Sequence, residues 1–301
     1  MASIICGSLA FDVIMNFEGR FAEQILPEQL HILNVSFLVP ALRRDFGGCA
    51  GNIAYSLKQL GGDPLPMATL GIDGAGYLAR LSGMGIATDF VRTLDDSYTA
   101  QAMIITDRDN NQINGFHPGA MEQAHLTRIE AREDIKLGII APDGREAMLQ
   151  HAEQFRAADI PFVFDPGQQL PRFDGAELRA LVDQASWVAV NDYEGKLLSD
   201  RTGWSTEEVS RRVRGLIVTK GAQGSEVWVD GEVTHVPAFQ ASAVVDPTGC
   251  GDAYRGALLF GLERGWSLVR CALVGNYLGA LKISQQGPQN YTVDLAALPS
   301  A

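Results

Sequence analysis

Asp246-Pro247-Thr248-Gly249-Cys250-Gly251-Asp252 runs directly into Ala253-Tyr254-Arg255-Gly256-Ala257-Leu258-Leu259-Phe260. Two glycines flank one small residue, an acid follows, and an apolar stretch then reads as helix. Three consecutive peptide N–H groups at such a helix start have no intrahelical partner and can grip an anion. The acid beside them can take a proton from a nucleophile that reaches the same anion. One turn thus combines a clamp for negative charge (Gly249, Cys250, Gly251) with a base (Asp252), the minimum apparatus of phosphoryl transfer. The same residues also suit an ordinary capped helix behind a tight turn, so the rest of the chain must decide.

Upstream, Ile217-Val218-Thr219-Lys220-Gly221 reads as a strand that ends in a small polar residue, a base and a glycine. That end can meet nucleotide phosphates, although Lys-Gly at a strand end is commonplace. Asn191-Asp192-Tyr193-Glu194 follows the strand Trp187-Val188-Ala189-Val190 and opens a helix. Asn with Glu three residues later is a capping-box variant. The alternative is Mg²⁺ held through water by Asn191 and Glu194, which suits an ion that keeps much of its hydration. In Phe46-Gly47-Gly48-Cys49-Ala50-Gly51-Asn52 the glycine pair lets backbone approach a ligand, and Asn52 can both donate and accept. Asp12 is a charge within an apolar run. It is either an exposed or capping acid, or a carboxylate that accepts both hydrogen bonds of a vicinal diol.

Around these motifs the chain has a regular rhythm. Ser3–Cys6 reads as a buried strand and Gly51–Leu60 as a helix. Strand-like and helix-like segments then alternate over 65–70, 75–83, 137–141, 144–157, 161–165, 175–185, 187–190 and 192–199. Short β-runs between helices of about ten residues predict an α/β fold, with a central, mostly parallel sheet covered by helices on both faces. Residues 13–45 and 98–116 break the rhythm. They hold β-type runs (13–18, 34–39, Ala102–Thr106, Ile113–Phe116) without crossover helices. A small β-sheet lid domain is predicted there, leaving 1–12, 46–97 and 117–301 as the large domain, which carries the Asp246–Asp252 turn. Such a lid would cover the carboxyl ends of the main sheet, where open α/β sheets bind ligands. The plainer reading is a surface hairpin.

Bulk properties remove other classes. The 24 basic and 36 acidic residues of the 301 give a net charge of −12, against nucleic acid as a partner. ATP remains accessible to an acidic protein through Mg²⁺ and local amide donors. No stretch reaches the roughly 18 apolar residues of a membrane span. The first basic residue is Arg20, whereas a signal peptide carries its positive charge first, so a cytoplasmic protein is expected. Four scattered cysteines without Cys-x-x-Cys predict reduced thiols, and five histidines without i, i+4 pairing predict no transition-metal centre. P-loop, Rossmann and Gly-x-Ser-x-Gly patterns are missing.

Gly47-Gly48-x-x-Gly51-Asn52, Asn191-x-x-Glu194 and Asp246-Pro247-Thr248-Gly249-x-Gly251-Asp252, in this order and spacing, resemble the ribokinase-like (PfkB) family of sugar and nucleoside kinases. The likeness covers nearly the whole chain and is greatest toward bacterial adenosine kinases. It is carried further by Gly7-Ser8-Leu9-Ala10-Phe11-Asp12, Arg20-Phe21 with Leu26-Pro27-Glu28, Ser36-Phe37-Leu38-Val39, Phe116-His117-Pro118-Gly119-Ala120-Met121, Asp165-Pro166-Gly167-Gln168-Gln169-Leu170 and Thr202-Gly203-Trp204.

The resemblance implies ATP with Mg²⁺, and phosphate passed to the 5′-hydroxyl of adenosine and other nucleosides. Asp252 would be the base, and the backbone of Gly249, Cys250 and Gly251 would hold charge on the transferring group. Asp12, Gly48 and Asn52 would bind the ribose. Ser8, Ser36, Phe116, Gln168, Gln169 and Arg172 match positions that line the nucleoside site in relatives. Lys220 and Gly221 fall where relatives touch ATP, with Asn191 and Thr219 beside them. Relatives often need a monovalent cation (K⁺) behind the anion hole, and carbonyls near Asp246 and Gly287 are the candidates here.

Two departures stand out. Relatives place an aromatic at position 102 where this chain has Ala102, which implies tolerance of inosine, guanosine or cytidine. Cys250 stands where Ala or Val is usual, and no redox role is expected of it. A free-sugar kinase and a nucleoside sensor without catalysis are the rival readings. Phe116 and Gln168-Gln169 favour a base-sized ligand, and an intact Asp252 argues against a pure binder. The edges of a lid sheet want cover, so a homodimer through the lids is expected.

Overall fold

In the computed structural model, which describes residues 2–26, 31–32, 34–109, 111–130 and 132–300, the first strand is buried along its whole length. It carries no charge because it has parallel neighbours on both sides and helices on both faces. The strands follow in chain order as β1 (Ala2–Cys6), β2 (Ala10–Asn16), β3 (Ala41–Gly47), β4 (Pro64–Leu70), β5 (Val91–Thr93), β6 (Ala100–Thr106) and β7 (Gln112–His117). After these come β8 (Ile135–Ile140), β9 (Phe162–Phe164), β10 (Trp187–Asn191), β11 (Leu216–Thr219), β12 (Ser225–Val229) and β13 (Glu232–Val236). The helices are α1 (Phe21–Gln24), α2 (Cys49–Gln59), α3 (Ala75–Gly83), α4 (Arg145–Ala157), α5 (Gly175–Gln184), α6 (Asp192–Thr202), α7 (Thr206–Ser210), α8 (Cys250–Leu262) and α9 (Leu268–Ile283).

Nine strands form the main sheet in the order β13-β12-β11-β10-β9-β8-β1-β4-β5. It is parallel from β11 to β5 and antiparallel at β11-β12-β13. One face packs on α2, α3, α8 and α9 through Ile53, Leu57, Tyr77, Leu258 and Leu278. The other packs on α4 to α7 through Met148, Phe155, Leu178, Leu198 and Val209. From β1 the chain first goes to β4 and β5 on one side, and later returns to β8 on the other. That reversal opens a crevice at the carboxyl ends of β1 and β8, where Gly7 and Ser8 face Ala141 and Pro142.

The second sheet rises from that crevice in the order β3-β2-β6-β7, parallel between β2 and β6 and otherwise antiparallel. Its register sets Asp45, Asp12, Ala102 and Phe116 abreast, on one face. The strand expected at 34–39 is not there, and the pairing partner of β2 is 41–47 instead. Pro40 supplies no N–H to a ladder, and Phe37 folds onto Phe17 and Phe21. The antiparallel extension β12-β13 is an addition to the sequence reading. Pro27 and Glu28 lie outside the described residues.

Within α8, Arg255 donates to both carboxylate oxygens of Asp165, at 3.1 Å each, just past the end of β9. The side chains are 5% and 7% exposed, so each charge depends on the other. Arg255→Met is expected to strand the Asp165 carboxylate and cost about 3–5 kcal/mol, read as a lower Tm by calorimetry. An unchanged Tm would remove this pair from the scaffold.

Candidate active site

Asp252 lies in the first turn of α8, with its carboxyl recessed toward α2. Burial pushes it up to about 6, the Asp165 carboxylate pushes the same way, and a hydrogen bond from Asn52 opposes them. That bond runs from Asn52 Nδ2 to Asp252 Oδ2 at 2.8 Å. Asn52 is itself held: its Oδ1 accepts from Gln289 Nε2 at 3.0 Å, and the same nitrogen donates to the Tyr77 hydroxyl at 2.8 Å. The Tyr77 hydroxyl donates to the Gly47 carbonyl at 2.6 Å. Arg80 closes the relay on the Gln289 carbonyl at 2.8 Å. Every side chain of this relay thus has a partner, which fixes Asn52 and through it Asp252.

The turn before α8 depends on Gly249, the N-cap at φ +80°, where a Cβ would press on Pro288 at 2.7 Å. No side chain caps the helix. The Cys250 N–H, expected among the free donors, turns back on the Pro247 carbonyl at 3.2 Å. The amides of Gly249, Gly251 and Asp252 keep no such partner, the last two as first-turn donors beyond the reach of an i−4 carbonyl. Burial pushes the Cys250 thiol up to about 11, so it is a neutral thiol at neutral pH. All four cysteines are unbridged.

Across the crevice, Gly48 opens α2 at φ +84°, with its Cα against the backbone of Ser8 and Ala10. The Ser8 hydroxyl accepts from the Cys49 N–H at 3.1 Å, so it serves α2 as well as the crevice. Asp12 projects from β2 over Gly47, where a Cβ would lie 2.4 Å from its Oδ2. Burial, then Asp45 and Asp246, push the Asp12 carboxyl up to about 6. Ala102 is half-buried and Phe116 is 51% exposed on the edge strand β7. Ser36 and Gln168 are exposed while Gln169 is buried. Arg172 is engaged by Glu122 at 2.9 Å and by Gln169 at 3.3 Å.

On the other side of α8 a cavity of about 630 Å³ starts at Cys250 and Gly251 and runs between Thr219 and Gly221 on one wall and α9 on the other. Lys220 is not part of its wall, and its ammonium is ion-paired with Glu226 of β12. Phe239, Asn276 and Ile283, absent from the sequence expectations, also line it. Gly275, Gly279 and Ala280 face the same space. Their i, i+4, i+5 spacing of small residues on one helix was the signal available for them. Gln289 carried none. Asn191 and Glu194 form the capping box: the Glu194 N–H donates to Asn191 Oδ1, and the Asn191 N–H to Glu194 Oε2, both at 2.8 Å. Only one Glu194 oxygen is used there, and burial with Asp165 raises this carboxyl above the usual range. Among the described residues no cluster of three or more His, Cys, Asp or Glu has metal-site geometry, and no helix is long and apolar enough to cross a membrane.

The pfkB family carbohydrate kinase model matches residues 14–294. A nucleoside kinase of Methanocaldococcus jannaschii is 30% identical over 293 residues, covering 96% of this chain and 93% of that one. Burkholderia thailandensis nucleoside kinase in complex with inosine aligns at a TM-score of 0.88 and 52% identity, over 98% of this chain and 95% of that one. Its complex with ADP-inosine aligns at 0.86 and 52%, over 98% and 93%.

The Asn52 bond favours the ionised form of Asp252. Asn52→Leu is expected to raise the Asp252 pKa by about 1–2 units, the worth of one hydrogen bond to a charged group. A carboxyl-carbon NMR titration reads it, and an unmoved or lowered pKa would contradict the relay.

Proposed function

Because the chain belongs to the pfkB family of carbohydrate kinases, we propose that it is an ATP-dependent nucleoside kinase that phosphorylates the 5′-hydroxyl of adenosine, inosine, guanosine and cytidine. The observation that carries this is the position of Asp252. It follows directly on Cys250 and Gly251 at the mouth of the cavity, lies beside uncapped amides, and is oriented by Asn52, whose partners Gln289 and Tyr77 lead to Gly47 beneath Asp12.

Asp12 takes the ribose diol, with Gly48 and Asn52 beneath the sugar, and the base leans on Phe116 near Gln168 and Gln169. Ala102 leaves room beside it, since one lost stacking ring is worth about 1–3 kcal/mol per base. ATP lies in the 630 Å³ cavity with its terminal phosphate at the Gly251 and Asp252 amides. Asp252 accepts the 5′-hydroxyl proton as that oxygen bonds to the γ-phosphorus, and the bond to the β-phosphate oxygen breaks to release ADP. The transition state is loose, so alignment and charge stabilisation carry most of the acceleration. Glu194, through the oxygen its capping box leaves unused, would hold Mg²⁺ by way of water, and the ion would supply positive charge against the phosphates. The exposed edge β7 with Ile113 and Phe116 supports pairing of two copies through the lids.

ATP consumption with adenosine, inosine, guanosine, cytidine, ribose and fructose tests the assignment. All four nucleosides are expected to turn over without a steep preference; a preference for ribose or fructose would make the chain a sugar kinase. Asp252→Asn is expected to lower kcat by ~10²–10⁴ with nucleoside binding retained, the range for a lost general base. Because protonation disables the base, wild-type kcat/KM should fall as pH drops through about 6. Near-normal turnover in the variant would remove Asp252 from the role.

A further inference from the structure

We propose that Lys282 is the built-in monovalent cation of this active site, holding the anion-binding turn from behind so that the enzyme needs no free potassium or sodium. The inference deepens the kinase reading above and rests on it for its catalytic consequence, though not for its structural one.

Lys282 belongs to the last turn of α9 and is 0% exposed. A lysine this deeply buried is rare without a carboxylate partner. Here the ammonium donates to two backbone carbonyls instead, of Asp246 at 2.6 Å and Gln285 at 3.1 Å. Carbonyl oxygens converging on one positive charge are how a protein replaces the hydration shell of a bare alkali ion. Asp246 opens the loop that leads to Gly249 and α8. Its carboxylate accepts the N–H groups of Thr248 and Gly287 at 2.9 Å each. One loop therefore receives the lysine on its carbonyl and, six residues on, presents the Asp252 amide and carboxylate.

The free cation implied near the carbonyls of Asp246 and Gly287 does not fit this arrangement. The Asp246 carbonyl already accepts from an ammonium, and a second cation there would sit against a like charge away from water, where repulsion is strongest. A lysine ammonium is a compact point charge close in size to potassium, and its tether makes it permanent. Its field reaches the start of α8, where it opposes the burial that raises the Cys250 thiol. A fixed charge behind those amides stabilises negative charge as it develops on the transferring group. Lys282 is thus a positioning residue that acts through the turn.

The test compares wild type and Lys282→Met in buffers whose only monovalent salt is choline chloride or potassium chloride, at equal ionic strength. Nucleoside phosphorylation by the wild type should be the same in both, and so should its Tm. Lys282→Met should lose ~10²-fold in kcat in choline, the scale of one lost electrostatic contact at the reacting group, and potassium should restore part of it and raise the variant's Tm. Activation of the wild type by potassium, or a potassium-specific rise in its Tm, overturns the proposal. So does a folded variant that potassium leaves inactive and unstabilised. Should the variant not fold in either salt, the wild-type comparison decides. Should no nucleoside be phosphorylated by the wild type, the kinase reading fails, and the two Tm comparisons still judge the cation.

Discussion

The hydrogen bond from Asn52 to Asp252 is the constraint on which the rest of the site depends. A carboxylate buried at the mouth of a helix would drift toward its neutral form, and a neutral acid cannot act as a base. At 2.8 Å the Asn52 amide opposes that drift without taking both carboxylate oxygens. It can do so because Gln289, Tyr77 and the Gly47 carbonyl immobilise the amide from behind. Residues from α2, α3 and the chain after α9 thus converge on one oxygen of α8.

Three contacts fix α8 and the loop that leads into it, and each uses a different chemistry. Asn52 meets Asp252 through a neutral donor, Arg255 meets Asp165 through a paired fork, and Lys282 meets Asp246 through a backbone carbonyl. A helix start held this rigidly presents its amides without reorganisation, which is what makes such donors effective toward developing charge. In the proposed reaction it would also let an acidic chain receive a polyanion. Two positive charges near the site, Lys282 and Arg255, are buried within the scaffold, while the chain as a whole is acidic.

Much of this was legible in the chain because it rests on local rules. The alternation of short apolar runs with helical segments required a covered parallel sheet, and Gly48 and Gly249 marked the left-handed residues that open α2 and α8, at φ +84° and +80°. The lid was legible as a break in that rhythm, but its pairing was not. The 34–39 run has β-type composition, yet Pro40 and the Phe17–Phe21–Phe37 cluster moved the strand to 41–47. Lys220 looked like a phosphate contact, and its ammonium is ion-paired with Glu226 on the next strand, β12. Cys250 was expected to offer its amide, and the Pro247 carbonyl takes it.

By itself the sequence determined the α/β architecture, the family and the turn that carries Asp252, because period and glycine placement act over a few residues and motif order is read along the chain without its folding. Tertiary structure alone decided which groups stand together. Asn52 and Asp252 are 200 positions apart, Asn52 and Gln289 are 237 apart, and Asp246 and Lys282 are 36 apart. No periodicity encodes such partners. They are set by the order of strands in the sheet and by the way α2, α8 and α9 pack on one face of it.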